Sequence, residues 1–185
     1  MAFGTVPSTP TVTRVPVLRA DASLLLVVDL QERLMPAIAG GAAVVENACR
    51  LVRGAERLGV AVHATEQNPA GLGPTVAAVA ELLPTPAAPK TAFAAEVPAH
   101  PGTVVVAGCE AHVCVQQTVL GMRATGRDVA VVADAVGSRT EANHARALDR
   151  LRAHGVDVVT TEMVLFEWLH DSDHPAFREV QKLIK

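Results

Sequence analysis

Five short, mainly apolar, strand-like runs separated by stretches of helical period limit this chain to few architectures. The runs are Leu24-Leu-Leu-Val-Val-Asp29, Val60-Ala-Val-His-Ala64, Thr103-Val-Val-Val-Ala107, Val129-Ala-Val-Val-Ala133 and Val156-Asp-Val-Val-Thr160. A strand with one wet face alternates apolar and polar residues; a continuous run is a strand covered on both faces. Between the runs, Val44, Val45, Ala48, Leu51, Val52, Ala55 and Leu58 recur at three- and four-residue spacing, which predicts a helix over residues 43–58. Similar stretches cover 113–125 and 141–154, and several end on a glycine suited to a helix C-cap. Strand and helix in alternation imply right-handed crossovers and a mostly parallel sheet between two helical layers, an α/β, αβα sandwich. The proline-bounded segment 86–89 suits a short edge strand.

With 185 residues, half of them hydrophobic, the chain has material for one domain spanning 1–185 with a two-sided core. Residues 1–20 hold three prolines and no periodicity, and read as an extended N-terminal arm. The net charge of −3 comes with Lys and Arg scattered along the chain, so no nucleic-acid or anionic-membrane partner is expected. No apolar run reaches the roughly 18 residues of a membrane span, and the first residues lack the order of a secretory signal. A cytoplasmic location is expected. The three cysteines, Cys49, Cys109 and Cys114, form no C-x-x-C pair and have no histidine at zinc-ligand spacing. Reduced thiols are therefore expected, with Cys49 a buried hydrophobe on its helix.

In an open parallel sheet the ligand crevice lies beyond the carboxyl ends of the strands. Asp29 closes the first run. Cys114 opens the helix after the third, where unpaired N–H groups and the helix dipole draw a thiol below its usual pKa of about 8.5. Lys90 follows the proline-bounded segment. A carboxylate that takes the thiol proton and an ammonium that steadies the thiolate would complete a nucleophilic site. Each residue also has a plain structural reading, Asp29 as a helix or turn cap, Lys90 as a solvated lysine and Cys114 as a buried hydrophobe.

Three ordered segments, Leu26-Val-Val-Asp29-Leu-Gln31, Lys90-Thr-Ala-Phe93 and Val106-Ala-Gly-Cys-Glu-Ala-His-Val-Cys114-Val, followed by Val131-Val-Ala-Asp134-Ala, carry a family pattern. On these the chain resembles the isochorismatase-like cysteine hydrolase superfamily from Ser23 to about Lys185. The resemblance implies a doubly wound sheet of about six strands and a catalytic triad of Asp29, Lys90 and Cys114. It also implies a cis peptide in the turn of Cys109, Glu110 and Ala111, with backbone amides near Ala111 and Cys114 facing an oxyanion. Nicotinamidases of this superfamily carry a D-x-H metal motif after the second strand; here the chain reads Glu66-Gln67-Asn68, a poor transition-metal set. No metal and no cofactor are expected. True isochorismatases lack the cysteine, so Cys114 argues against vinyl-ether cleavage.

The expected activity is hydrolysis of a small-molecule amide or ester through a Cys114 thioester. Gln31, as a polar contact, and Phe93, as an apolar wall, are candidates for the pocket, each with an equal packing or capping reading. Trp168 is a further candidate if it reaches the pocket. His112, two residues before the cysteine, suits the pocket rim or a turn better than a general base. The resemblance implies a structural part for Asp134 in the turn that ends at Ser138. Two other readings stay open. One is a catalytically silent scaffold with a redox-sensitive Cys114, and the other is a thiol redox protein with Cys109 as the resolving residue. Family likeness and apolar C-terminal helices suggest a homo-oligomer, a dimer or tetramer.

Overall fold

The computed structural model of the chain describes residues 17–185; most of the N-terminal arm read from the sequence lies outside them. Six strands form one wholly parallel sheet: β1 (Ser23–Val28), β2 (Ala61–Gln67), β3 (Ala88–Lys90), β4 (Thr103–Cys109), β5 (Val129–Gly137) and β6 (Asp157–Val159). Their order is β3-β2-β1-β4-β5-β6. The chain winds outward from β1 in one direction and from β4 in the other. The crevice at the carboxyl ends of β1 and β4 is therefore the topological switch point.

The helices are α1 (Gly41–Leu58), the single turns α2 (Pro69–Leu72) and α3 (Ala77–Ala80), α4 (Gln116–Ala124), α5 (Glu141–Ala153), α6 (Thr161–Leu169) and α7 (Phe177–Leu183). Strand pleating sends Leu25, Val27, Val105 and Ala107 to one face, where they pack with Leu51 and Val52 of α1 and Leu165 of α6. Leu24, Leu26, Val104 and Val106 take the other face with Val119 and Met122 of α4 and Leu148 and Leu151 of α5. The C-terminal helices thus lie on the α1 layer, through Val180 of α7 and Trp168 of α6. Trp168 donates its indole N–H to Ser23 Oγ at 3.1 Å, at the amino end of β1 and away from the crevice.

All six residues of β1 are buried, as its unbroken run predicts. Strand β2 departs from that expectation: only Ala64 and Thr65 are buried. The apolar cluster under α4 and α5 ends at β1, and on the His63–Thr65 face of β2 the irregular segment 91–98 crosses in place of a helix. A cavity of about 750 Å³ remains between segment and sheet. At the centre, Gly108 has φ +117°, and a Cβ there would lie 2.0 Å from the Val28 carbonyl oxygen, so β1 and β4 approach this closely only through glycine. No helix of the described residues is long and apolar enough to cross a membrane.

Candidate active site

Asp29 follows β1 with φ 51° and is fully buried. Its backbone N–H donates to Thr65 O, and Thr65 Oγ1 donates to its Oδ1 at 2.8 Å. The parallel register places Gln67 opposite Lys90, which brings the lysine to the same crevice. Lys90 Nζ lies 2.7 Å from Asp29 Oδ2 with both side chains nearly inaccessible, at 9% and 0% exposure. The directed hydrogen bonds of the ammonium go to Gln67 Oε1 at 2.7 Å and to the carbonyls of Ala92 and Phe93 at 3.3 and 3.1 Å. Asp29 Oδ2 accepts no well-directed hydrogen bond among the described residues. Its interaction with the ammonium is a close ion pair that leaves a lone pair open to another donor.

Across the crevice the chain leaves β4 through a cis Cys109–Glu110 peptide and enters one π-type turn, Ala111–Val115, before α4. The Glu110 carbonyl accepts from both Val113 and Val115 N–H. π turns recur where a helix is re-aimed at a site, and this one carries Cys114. Cys114 therefore sits inside the helical segment and not at its first residue, as the sequence alone suggested. It is buried, and its thiol faces Gln67 Oε1 at 4.0 Å. Burial pushes the thiol up to about 12, the Asp29 charge adds to the rise, and Lys90 opposes it. Dehydration and the neighbouring carboxylate thus work against the resting thiolate that a helix start favours, and Lys90 works for it. Cys109 is also held up at about 12 by burial, which suits a packed interior residue.

A cleft of about 410 Å³ joins these parts, lined by Asp29, Gln67 and Cys114 with Leu34, Leu72, Phe93 and Val113 as apolar wall. Glu110 and Arg139 form one end. Glu110 is buried, and its carboxylate accepts from Arg139 N, Nε and Nη2 at 3.0 to 3.2 Å. Of the pocket candidates read from the sequence, Phe93 lines the cleft and is 54% exposed. Gln31 does not line it. Its amide is committed to Gln67 O, Gly73 O and Gln67 N–H, so it ties β1 to β2 from within. His112 also lies off the cleft wall, with Nδ1 paired to Ser138 Oγ at 3.0 Å. Asp134 accepts from Thr161 N–H and Oγ1, a structural link between β5 and α6.

Sequence reasoning missed Gln67 and Arg139. The first was within a segment weighed only as a metal motif. The second is 29 positions from its carboxylate partner, and no local spacing announces that pairing. Where the metal motif would lie, Glu66 Oε1 accepts from Thr75 N–H and Oγ1 at 2.6 and 2.7 Å, pointing away from the cysteine cleft. Among the described residues no group of three His, Cys, Asp or Glu gathers at metal-binding distance.

A doubly wound sheet of six parallel strands between helical layers is the architecture of isochorismatase-like α/β proteins. Residues 90–163 match the family described as Isochorismatase domain. The chain is 38% identical over 176 residues to isochorismatase domain-containing protein 2 of Danio rerio, covering 90% of this chain and 89% of that protein. To isochorismatase domain-containing protein 1 of the same fish it is 37% identical, over 97% of this chain and 67% of that one. The chain belongs to the isochorismatase-like hydrolase family. Among solved structures, the MAR1 ribonuclease of Caenorhabditis elegans superposes with a TM-score of 0.87 at 36% identity, covering 91% of this chain and 92% of that one. The YcaC gene product of Escherichia coli, described as an octameric hydrolase of unknown specificity, shares the fold at TM-score 0.75 and 22% identity, covering 92% and 97%.

Proposed function

We propose that this chain hydrolyses a small-molecule amide or ester through a covalent Cys114 thioester. The observation that carries the reading is that Asp29, which lines the cleft with the Cys114 thiol, is held in a buried ion pair with Lys90, 2.7 Å away behind that lining. Because burial holds that thiol neutral, attack and proton transfer are coupled: Sγ adds to the carbonyl carbon as its proton passes to Asp29 Oδ2. Lys90 balances the developing thiolate and keeps Asp29 oriented. Backbone N–H groups of the turn around Ala111 and Cys114 receive the oxyanion. Protonated Asp29 then donates to the departing amine or alcohol, leaving the acyl thioester. Water, deprotonated by Asp29, releases the acid and restores the thiol. No metal or cofactor enters these steps.

The substrate is small, because the cleft measures about 410 Å³. The acid, base and nucleophile suit acyl transfer, and the chain carries a net charge of −3 without a basic stripe to follow a phosphate backbone. RNA incubated with this protein is therefore expected to stay intact. A homo-oligomer fits the exposed Met163 and Phe166 of α6, and sedimentation measures its size. The test of the chemistry is acyl trapping. A short-chain activated ester such as p-nitrophenyl acetate should give one acyl group per chain, mapped by peptide mass to Cys114 and absent in Cys114→Ala. A folded protein that forms no adduct and turns over no member of an amide and ester panel would instead support a silent scaffold with a redox-sensitive cysteine.

A further inference from the structure

The cleft wall carries more cationic hydrogen-bonding capacity than its own carboxylates use. Two carboxylates line it, Asp29 and Glu110, and each has its cation, Lys90 and Arg139. Arg33 also lines it and forms no ion pair among the described residues. Its neighbour Glu32 does not line the cleft. Lys90, behind the lining, balances Asp29, and Arg139 balances Glu110, so the Arg33 charge is the one on the cleft wall without a carboxylate partner among the described residues.

The guanidiniums are also held in place. Arg33 is tied to the end of α2 twice, by its backbone N–H to Leu72 O and by Nη1 to Gly71 O, both at 3.0 Å. Its Nε and Nη2 meet no acceptor among the described residues. Arg139 gives Nε and Nη2 to Glu110 and leaves Nη1 without an acceptor among the described residues. A guanidinium with one edge anchored presents its remaining N–H groups at reduced entropic cost, in a geometry that suits a carboxylate. Leu34, Leu72, Phe93 and Val113 lie on the same wall and offer nothing to a second polar group.

We infer that the substrate carries a carboxylate remote from the scissile carbonyl, bound by Arg33 with support from Arg139. This rests on reading the Cys114 cleft as the substrate pocket. The substrate class becomes a small acid with an amide or ester at its other end. Arg33 is the specificity residue, because it is exposed and its replacement leaves no buried charge unpaired.

Iodoacetate and iodoacetamide carry the same reactive carbon beside a carboxylate or a carboxamide, so the ratio of their alkylation rates at Cys114 cancels thiol ionisation. Relative to the ratio for glutathione, the wild type should favour iodoacetate by about fivefold, the scale of one partly exposed ion pair. Arg33→Gln should bring the ratio back to the glutathione value, and Arg33→Lys should keep part of the preference. A wild-type ratio equal to that of glutathione, or one unchanged in Arg33→Gln, overturns the inference. A second arm does not need the nucleophile. In Cys114→Ala, succinate should bind more tightly than succinamide by NMR titration, with the difference lost in the Arg33→Gln double variant and reduced by salt. Equal binding of the two, or no binding of either, overturns the inference even if acyl trapping succeeds. A Cys114 inert to both reagents beside Arg33-dependent succinate binding would sink the nucleophile and leave the anion site standing.

Discussion

Asp29 and Glu110 are both buried carboxylates on one cleft, each paired with a cation, and they are held in opposite ways. Glu110 has both oxygens taken by a forked arginine and a backbone N–H, so it has no capacity left for a passing proton. Asp29 has one oxygen fixed by Thr65 and the other beside an ammonium whose directed bonds point elsewhere. Full saturation makes a rivet, and partial saturation leaves the room for a proton that the proposed mechanism requires of Asp29. The partner cations follow the same division, with Arg139 largely in solvent and Lys90 almost wholly enclosed.

Replacing Asp29 gives the largest expected effect. In Asp29→Asn, turnover should fall by about 10²- to 10⁴-fold, the usual weight of a general acid and base. Alkylation of Cys114 at fixed pH should become faster in that same variant, because the charge that helps hold the thiol near 12 is gone. Lys90→Ala should slow it by removing the opposing charge. If both reactions slow together in Asp29→Asn, the two carboxylates do not differ in kind. Next comes Gln67→Ala, which frees Lys90 from its shortest hydrogen bond and should lower kcat by about tenfold, the cost of one charged hydrogen bond. Arg139→Gln should act mainly on stability, with a lower melting temperature and a residual kcat above that of Asp29→Asn.

The pH dependence separates the two ends more gently. A thiol with its folded pKa raised from 9.0 to about 12 favours the fold fully below pH 9, and that contribution is lost as pH climbs from 9 toward 12. Cys109 and Cys114 both act in this direction, so denaturant midpoints should decline across that window, and less in Cys114→Ala. The smallest expected effect is from chelation: EDTA should leave turnover unchanged, and a loss restored by metal would require a site that Glu66 and Gln67 do not make.

The sheet was legible in the sequence wherever local pattern and tertiary surroundings agree. β1 and β4 are unbroken apolar runs because helices cover both faces, and Asp29 and Lys90 stand out because they end strand-like segments. β2 is a weaker case: the layer that covers its second face is a loop, and the polar His63 and Thr65, alternating with Val62 and Ala64, mark that face in the sequence. Gln67 and Arg139 were illegible. The first reaches Lys90 through the β2–β3 register, and the second reaches Glu110 across two strand ends. Cys114 shows the limit of arguing from a helix start alone, since its ionisation is set by what packs around it.

The loop that replaces a helix over β2 has its own consequence. Segment 91–98 supplies Phe93 to the cleft and two carbonyls to Lys90, and it is fastened to α4 by Ala95 N–H to Thr118 Oγ1, whose hydroxyl donates to the Cys114 carbonyl. It adds no strand to the sheet. The part of the cleft wall that carries Phe93 is thus separable from the scaffold. A lineage can trade substrates by rewriting eight residues while the load of folding stays on β1, β4 and their helices.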